Sequence, residues 1–240
     1  MILAIDTSTS TLGIAIADKG KIIGLTQLDT GHNHSVALLP QLQALLSGCG
    51  ITMQQLAGLA VTVGPGSFTG LRIGIATAQA LAQATNLPLL AVGTPAAMAR
   101  AIGTTADAYI CPVFDARRNE VYTSLFRAGQ QLLPDLAISP AALAEKLAKF
   151  EGAPIIICGD GIGSCREQLS ATLGERLQVA DAANARFLAA GAAILGEVML
   201  AEGRICPPEE LLPRYLRLSE AEEKRLQQNL PPEDTANERK

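Results

Sequence analysis

The chain has 240 residues, of which 48% are hydrophobic and 18% charged, so it can bury an ample core as one or two compact units and is not disordered throughout. Nineteen basic against 23 acidic residues leave a formal charge of −4, and five Phe, three Tyr and no Trp are too few for a base-stacking platform. Both features argue against a protein that grips nucleic acid unaided. No apolar run is long enough for a membrane helix, and residues 1–6 read as a buried strand rather than a signal peptide, so a cytoplasmic protein is expected.

Residues 2–5 and 12–17 are short apolar runs, and Asp18-Lys19-Gly20 is a turn signal into a third strand over 21–28. Leu38, Leu42, Leu45 and Leu46 recur at helical spacing, with Gly48 and Gly50 as stops and Pro40 as a bend or a late start. Residues 59–63 read as a buried strand, followed by a glycine-rich loop, a helix over about 70–84 and a strand over 87–92. This alternation predicts an α/β layer on a mixed sheet, forming a first lobe over 1–103. A second lobe over 104–218 opens with strands at 109–114 and 121–126, joined by the polar stretch 115–120. Ser139-Pro140 starts a helix, residues 154–158 form a buried strand ending in Gly159-Asp160-Gly161, and residues 184–200 form an alanine-rich helix. A three-strand start followed by a helix recurs only faintly in the second half. From 219 to 240, ten of 22 residues are charged, and a solvated, disordered tail is expected.

Five cysteines, Cys49, Cys111, Cys158, Cys165 and Cys206, form no CxxC pair and read as reduced thiols. His32 and His34 do not have zinc-site spacing; lining the entry to the next helix suits them better, and no metal centre is expected. The most distinctive segment is Gly64-Pro65-Gly66-Ser67-Phe68-Thr69-Gly70-Leu71-Arg72-Ile73-Gly74. It lies between a strand and a helix, where free amides favour an anion. It lacks the Lys-Ser/Thr of a P-loop and the spacing of a dinucleotide fold, and Ser67 or Thr69 acting as a helix cap explains it as well. Gly70, Gly74, Ala78 and Ala82 follow four apart, a narrow stripe beside Leu71 and Ile75. Such a stripe lets another helix approach closely, from this chain or from another.

Asp6-Thr7-Ser8-Thr9-Ser10-Thr11 puts a carboxylate and hydroxyls at a strand end, suited either to a cation and phosphate oxygens or to a hydroxyl-rich turn. Gly159-Asp160-Gly161 ends a strand of the second half in the same manner. Facing each other across a cleft, Asp6, Thr7 and Ser8 with Gly159, Asp160 and Gly161 would make a degenerate nucleotide clamp. No catalytic residue is assigned: Ser67 has no evident His and carboxylate partners, and no thiol is tied to a histidine. Arg117, Arg118 and Glu120 could bind an anion or a partner, though such residues are more often a charged hairpin tip of little energetic weight.

The combination Ile2-Leu3-Ala4-Ile5-Asp6-Thr7-Ser8, the long glycine-rich segment, Asp115-Ala116-Arg117-Arg118-Asn119-Glu120-Val121-Tyr122 and Pro213-Arg214-Tyr215-Leu216-Arg217 resembles the bacterial TsaB (YeaZ) family of glycoprotease-like proteins. The resemblance implies a two-lobed actin/Hsp70/sugar-kinase-like (ASKHA) fold with a reduced second lobe. It also implies a noncatalytic scaffold for N6-threonylcarbamoyladenosine formation, at the adenosine 3′ to the anticodon of tRNAs that read codons beginning with A. Such a scaffold pairs with the transferase TsaD, recruits TsaE, forms a homodimer when TsaD is absent and meets tRNA only through the complex. It has no cofactor of its own, with ATP or ADP and magnesium entering at the level of the complex. TsaD relatives hold a metal through HxxxH, whereas Gly31-His32-Asn33-His34 has the wrong spacing. In the family the helix after the glycine-rich loop and the preceding helix form the partner surface. That points to Leu38, Leu42, Gly70, Leu71, Gly74, Ile75 and Ala78 as the interface, so Gly74→Leu is expected to abolish pairing while the chain still folds. The alternatives are an ATPase or phosphotransferase using Asp6 and Asp160, and, weakest, proteolysis of TsaD.

Overall fold

The computed structural model describes residues 1–31, 33–103, 105–180 and 187–217. The expected tail from 219, together with His32 and the expected helix start at Asn184, lies outside the described residues. The first lobe runs β1 (Ile2–Asp6), β2 (Thr11–Asp18), β3 (Lys21–Asp29), α1 (His34–Cys49), β4 (Gly58–Gly64), α2 (Phe68–Thr85) and β5 (Leu89–Gly93), followed by α3 (Thr94–Ile102). The second runs β6 (Tyr109–Asp115), β7 (Val121–Arg127), β8 (Gln130–Ile138), α4 (Pro140–Ala148), β9 (Ile155–Cys158), α5 (Ile162–Leu173) and β10 (Leu177–Val179), followed by α6 (Leu188–Ala201).

The two sheets are wired identically. Their orders are β3-β2-β1-β4-β5 and β8-β7-β6-β9-β10. In each, three antiparallel strands form a meander and two parallel strands are added through helical crossovers. The repeat that is faint in the sequence is therefore complete in the topology, and it includes the helix that follows each sheet.

Central strands read as continuous apolar runs because both of their faces are covered. Every residue of β1 and β4 is buried. Leu3, Ile5, Ile14, Ile16, Leu59 and Val61 face outward under α1 and α2. Ile2, Ala4, Ala15, Ala17 and Ala60 face inward onto α6. The layers thus run α1/α2, first sheet, α3/α6, second sheet, α4/α5, with three apolar cores between them. Alanine on the inner face keeps the middle layer thin. Gly191 of α6 lies where a side chain would strike the Ala97 carbonyl of α3, so the two helices cross almost backbone to backbone.

The spatial division of the second lobe needs correction. α6 follows the second sheet in sequence but packs on the first, so 104–218 is not one spatial lobe. Residues after α6 also return to the first lobe, where Cys206 N–H bonds to Leu89 O and Arg214 N–H to Val63 O. Pro40 lies within α1 rather than at a late start, and Gly50, in the left-handed region at φ 64°, is the residue that stops the helix. Among the described residues no helix is long and apolar enough to cross a membrane.

Candidate functional site

A cleft of about 550 Å³ opens between the lobes. Its first-lobe wall is the β1–β2 turn at 8–10 and the loop at 66–70; its second-lobe wall is 114–118 and Asp160; Tyr215 and Arg217 close one side. Both expected turns therefore reach one cleft, but through only two of the six residues named for them, Ser8 and Asp160.

Asp6 lies beneath the wall. It is 2% exposed, and its Oδ1 accepts from Ser8 N–H at 3.2 Å, Ser8 Oγ at 2.6 Å and Thr62 Oγ1 at 2.7 Å. Burial pushes its carboxyl above the ordinary value, against the opposing pull of those hydrogen bonds and of His34. Thr7 is also buried, and its hydroxyl donates to Gly70 O at 2.7 Å. Ser67 N–H in turn donates to Ser8 O at 2.7 Å. The glycine-rich loop is thus folded down over the hydroxyl turn, and the groups suited to phosphate are bonded to each other. Ser67 Oγ accepts from Gly70 N–H at 3.2 Å, the helix cap expected of it.

Across the cleft, Asp160 Oδ1 accepts from Asp115 N–H at 3.1 Å. Burial raises its carboxyl, helped by the neighbouring Asp115 and Asp6 charges. Gly159 and Gly161 serve the sheet instead. Gly161 N–H donates to Val113 O at 3.1 Å, and Gly159 has φ 114° with its α-carbon facing that same carbonyl.

No metal-binding group of three or more His, Cys, Asp or Glu exists among the described residues. His34, the first residue of α1, uses both ring nitrogens, at 2.8 Å from Thr30 Oγ1 and 2.9 Å from Thr9 O. Among the thiols, burial pushes Cys111 up to about 12 and Cys165 up to about 11, which keeps both protonated and unreactive.

The expected partner residues are placed elsewhere than predicted. Leu38, Leu42, Gly70, Leu71, Gly74, Ile75 and Ala78 are all buried within this chain. Leu38, Leu42, Ile75 and Ala78 pack on the outer face of the first sheet. A side chain at Gly70 would strike the Thr7 carbonyl, and one at Gly74 the Thr7 hydroxyl. The small stripe lets a turn of the same chain approach α2, so Gly74→Leu would disrupt the first lobe rather than pairing alone. Sequence reasoning also missed the weight of two segments. The β6–β7 connection holds Arg117, Arg118 and Asn119 at φ 60°, 52° and 59°, and Tyr215 and Arg217 of the segment after α6 line the cleft; only Asn119, a residue tolerant of left-handed backbone, signalled the first.

The family described as "TsaD: tRNA N6-adenosine threonylcarbamoyltransferase" matches residues 24–224. The Bacillus subtilis protein named "tRNA threonylcarbamoyladenosine biosynthesis protein TsaB" is 36% identical over 93% of this chain and 96% of its own length. YeaZ from Pseudomonas aeruginosa superimposes with a TM-score of 0.76 at 29% identity, over 90% of this chain and 99% of that one. A ROK hexokinase from Thermus thermophilus shares the fold alone, with a TM-score of 0.50 at 11% identity over 84% of this chain and 99% of that one. Duplicated sheets, a middle layer of two helices and an interlobe cleft are the actin/Hsp70/sugar-kinase-like architecture, and the chain belongs to the TsaB/YeaZ family.

Proposed function

We propose that the chain acts in N6-threonylcarbamoyladenosine formation on tRNA, as a partner that pairs with TsaD and recruits TsaE without catalysing a step itself. The observation that carries this reading is the 36% identity, over 93% of the chain, to a Bacillus subtilis protein named for that biosynthesis. The site supports it. Asp6, Thr7 and Ser67, which a phosphate-handling turn would need free, are hydrogen-bonded within the chain. In this reading no cofactor is held by the chain alone, ATP or ADP and magnesium enter with the complex, and tRNA is met there, in the cytoplasm.

The partner surface then has to be the outer face of the same two helices. Val36 and Leu39 of α1 are 75% and 55% exposed, and Ala76 and Ala80 of α2 are exposed as well. Apolar residues at this exposure on one helix, with small ones on the other, suit a helix pair from TsaD, or from a second copy when TsaD is absent. Size-exclusion chromatography of the chain mixed with TsaD tests this. The wild type is expected to co-elute, and Val36→Asp with Leu39→Asp to elute apart from TsaD with an unchanged melting temperature. Pairing that survives both substitutions would refute this surface. The rival ATPase or phosphotransferase reading requires nucleotide turnover by the pure chain that is lost in Asp6→Ala; the sealed position of Asp6 argues against it.

A further inference from the structure

The last described segment crosses from one lobe to the other at the mouth of the cleft. On the first lobe Arg214 N–H donates to Val63 O at 2.7 Å. The Tyr215 ring stacks on Phe68 with centroids 4.5 Å apart, and its hydroxyl accepts from Arg72 Nε at 2.9 Å. Two residues on, the chain reaches the second lobe. Arg217 Nη1 donates to Ala116 O at 3.1 Å and pairs with Glu120 Oε2 at 3.0 Å, and the Arg217 side chain is only 20% exposed. Arg214 also lies 3.9 Å from Asp135, but at 64% exposure that pair is largely screened.

The two residues that Arg217 holds bracket the left-handed run at Arg117, Arg118 and Asn119. Left-handed backbone crowds Cβ against the following carbonyl, so three such non-glycine residues in succession persist only where their surroundings over-determine them. Within the connection, Asp115 Oδ1 accepts from Arg117 N–H at 2.7 Å, Ala116 N–H donates to Glu120 O at 3.1 Å and Glu120 N–H to Arg117 O at 3.0 Å. From outside it, Asp160 fixes the start through Asp115 N–H, and Arg217 fixes both flanks of the run.

We propose that residues 213–217 are a latch. Docked on the first lobe through Tyr215, they hold the left-handed form of the β6–β7 connection through Arg217, and so set the rim of the cleft that carries Arg117 and Arg118. Arg217 is a positioning residue whose action depends on the docking of Tyr215 against Phe68. Lifting the segment, as a partner seated on it would do, lets the connection relax toward ordinary backbone and reshapes the cleft wall.

Amide hydrogen exchange on the full chain tests the latch. Arg217→Ala is expected to speed exchange at Ala116, Arg117 and Glu120 about tenfold, with the melting transition still cooperative. Tyr215→Ala, which removes the stacking on Phe68 and the bond from Arg72, is expected to do the same, whereas Arg214→Ala leaves those rates as they are. Arg117→Gly relieves the backbone strain and is expected to restore protection at Ala116 and Glu120 in the Arg217→Ala chain. Exchange unchanged in Arg217→Ala overturns the proposal. Acceleration in Arg217→Ala but not in Tyr215→Ala also overturns it, because the ion pair would then be local and no latch. If Arg217→Ala fails to fold, Glu120→Gln, which removes the charge and keeps the shape, takes its place with the same two outcomes.

Discussion

Gly74→Ala is the smallest change that separates an internal use of the α2 stripe from an open one. In an exposed helix interior the substitution would stabilise by up to about 1 kcal/mol through helix propensity. Here the added methyl would overlap the Thr7 hydroxyl, which donates to Gly70 O at 2.7 Å. Overpacking costs about 1–3 kcal/mol, and displacing the hydroxyl leaves the buried Thr7 donor without its acceptor, about 1–3 kcal/mol more, while Gly70 O keeps its helical amide. Net of propensity the expected loss is about 3 kcal/mol, or a fall of about 6–12 °C in melting temperature for a chain of this length. The next atoms, Thr7 Cβ and Val61 Cγ2, lie at an ordinary 3.6 Å, so removing only the hydroxyl makes room. In a Thr7→Ala background Gly74→Ala should therefore be neutral or stabilising, giving a coupling of about 2–4 kcal/mol in a double-mutant cycle read by thermal or urea unfolding. A Gly74→Ala chain that melts at or above the wild type would show that the stripe is open at Gly74 and not filled by Thr7.

Other outcomes follow from the same packing. Because burial raises the folded-state value of Asp6 above the ordinary 3.8, the native state holds that proton more tightly than the unfolded chain. Its contribution to stability is greatest below 3.8 and declines as pH rises from there to the folded-state value. Asp6→Asn retains an oxygen for Ser8 and Thr62 and should remove that decline, melting at or above the wild type at pH 7; a large loss at pH 7 would show that the charge itself is needed. Gly191→Ala would drive a methyl into the Ala97 carbonyl at the α3–α6 crossing and is expected to cost more than the typical 1–3 kcal/mol of overpacking, measured as a fall in urea midpoint, because the obstacle is backbone. Leu39→Asp, on the exposed side of α1, should change stability by less than about 0.5 kcal/mol while weakening association with TsaD.

How far the sequence could be read depended on whether a feature was local. Strands β1, β2 and β4 are covered on both faces, so their apolar runs stand out. Strand β8 did not, because it is an edge strand with no fully buried residue that contains Pro134. Helix α3 carries a start signal, with Pro95 in its first turn, but is short and follows β5 with no intervening loop. The hydroxyl turn and the glycine-rich loop were each visible, yet their mutual bonding joins Thr7 to Gly70 across 63 positions. The stripe on α2 announced a close approach without saying to what, and the neighbour is the Thr7 turn rather than a helix. Arg217 and Ala116 stand 101 positions apart, and no spacing rule connects them.

The role proposed for the chain is that of a required partner rather than an enzyme. The most direct test is a reconstituted tRNA-modification reaction containing TsaC, TsaD, TsaE, ATP, threonine, bicarbonate and tRNA, run with and without this chain. Threonylcarbamoyladenosine is expected to disappear on omission, to return with wild type and with Asp6→Asn, and not to return with Val36→Asp/Leu39→Asp. Full modification in the absence of the chain, or modification that fails with Asp6→Asn while that variant still pairs with TsaD, would overturn that role.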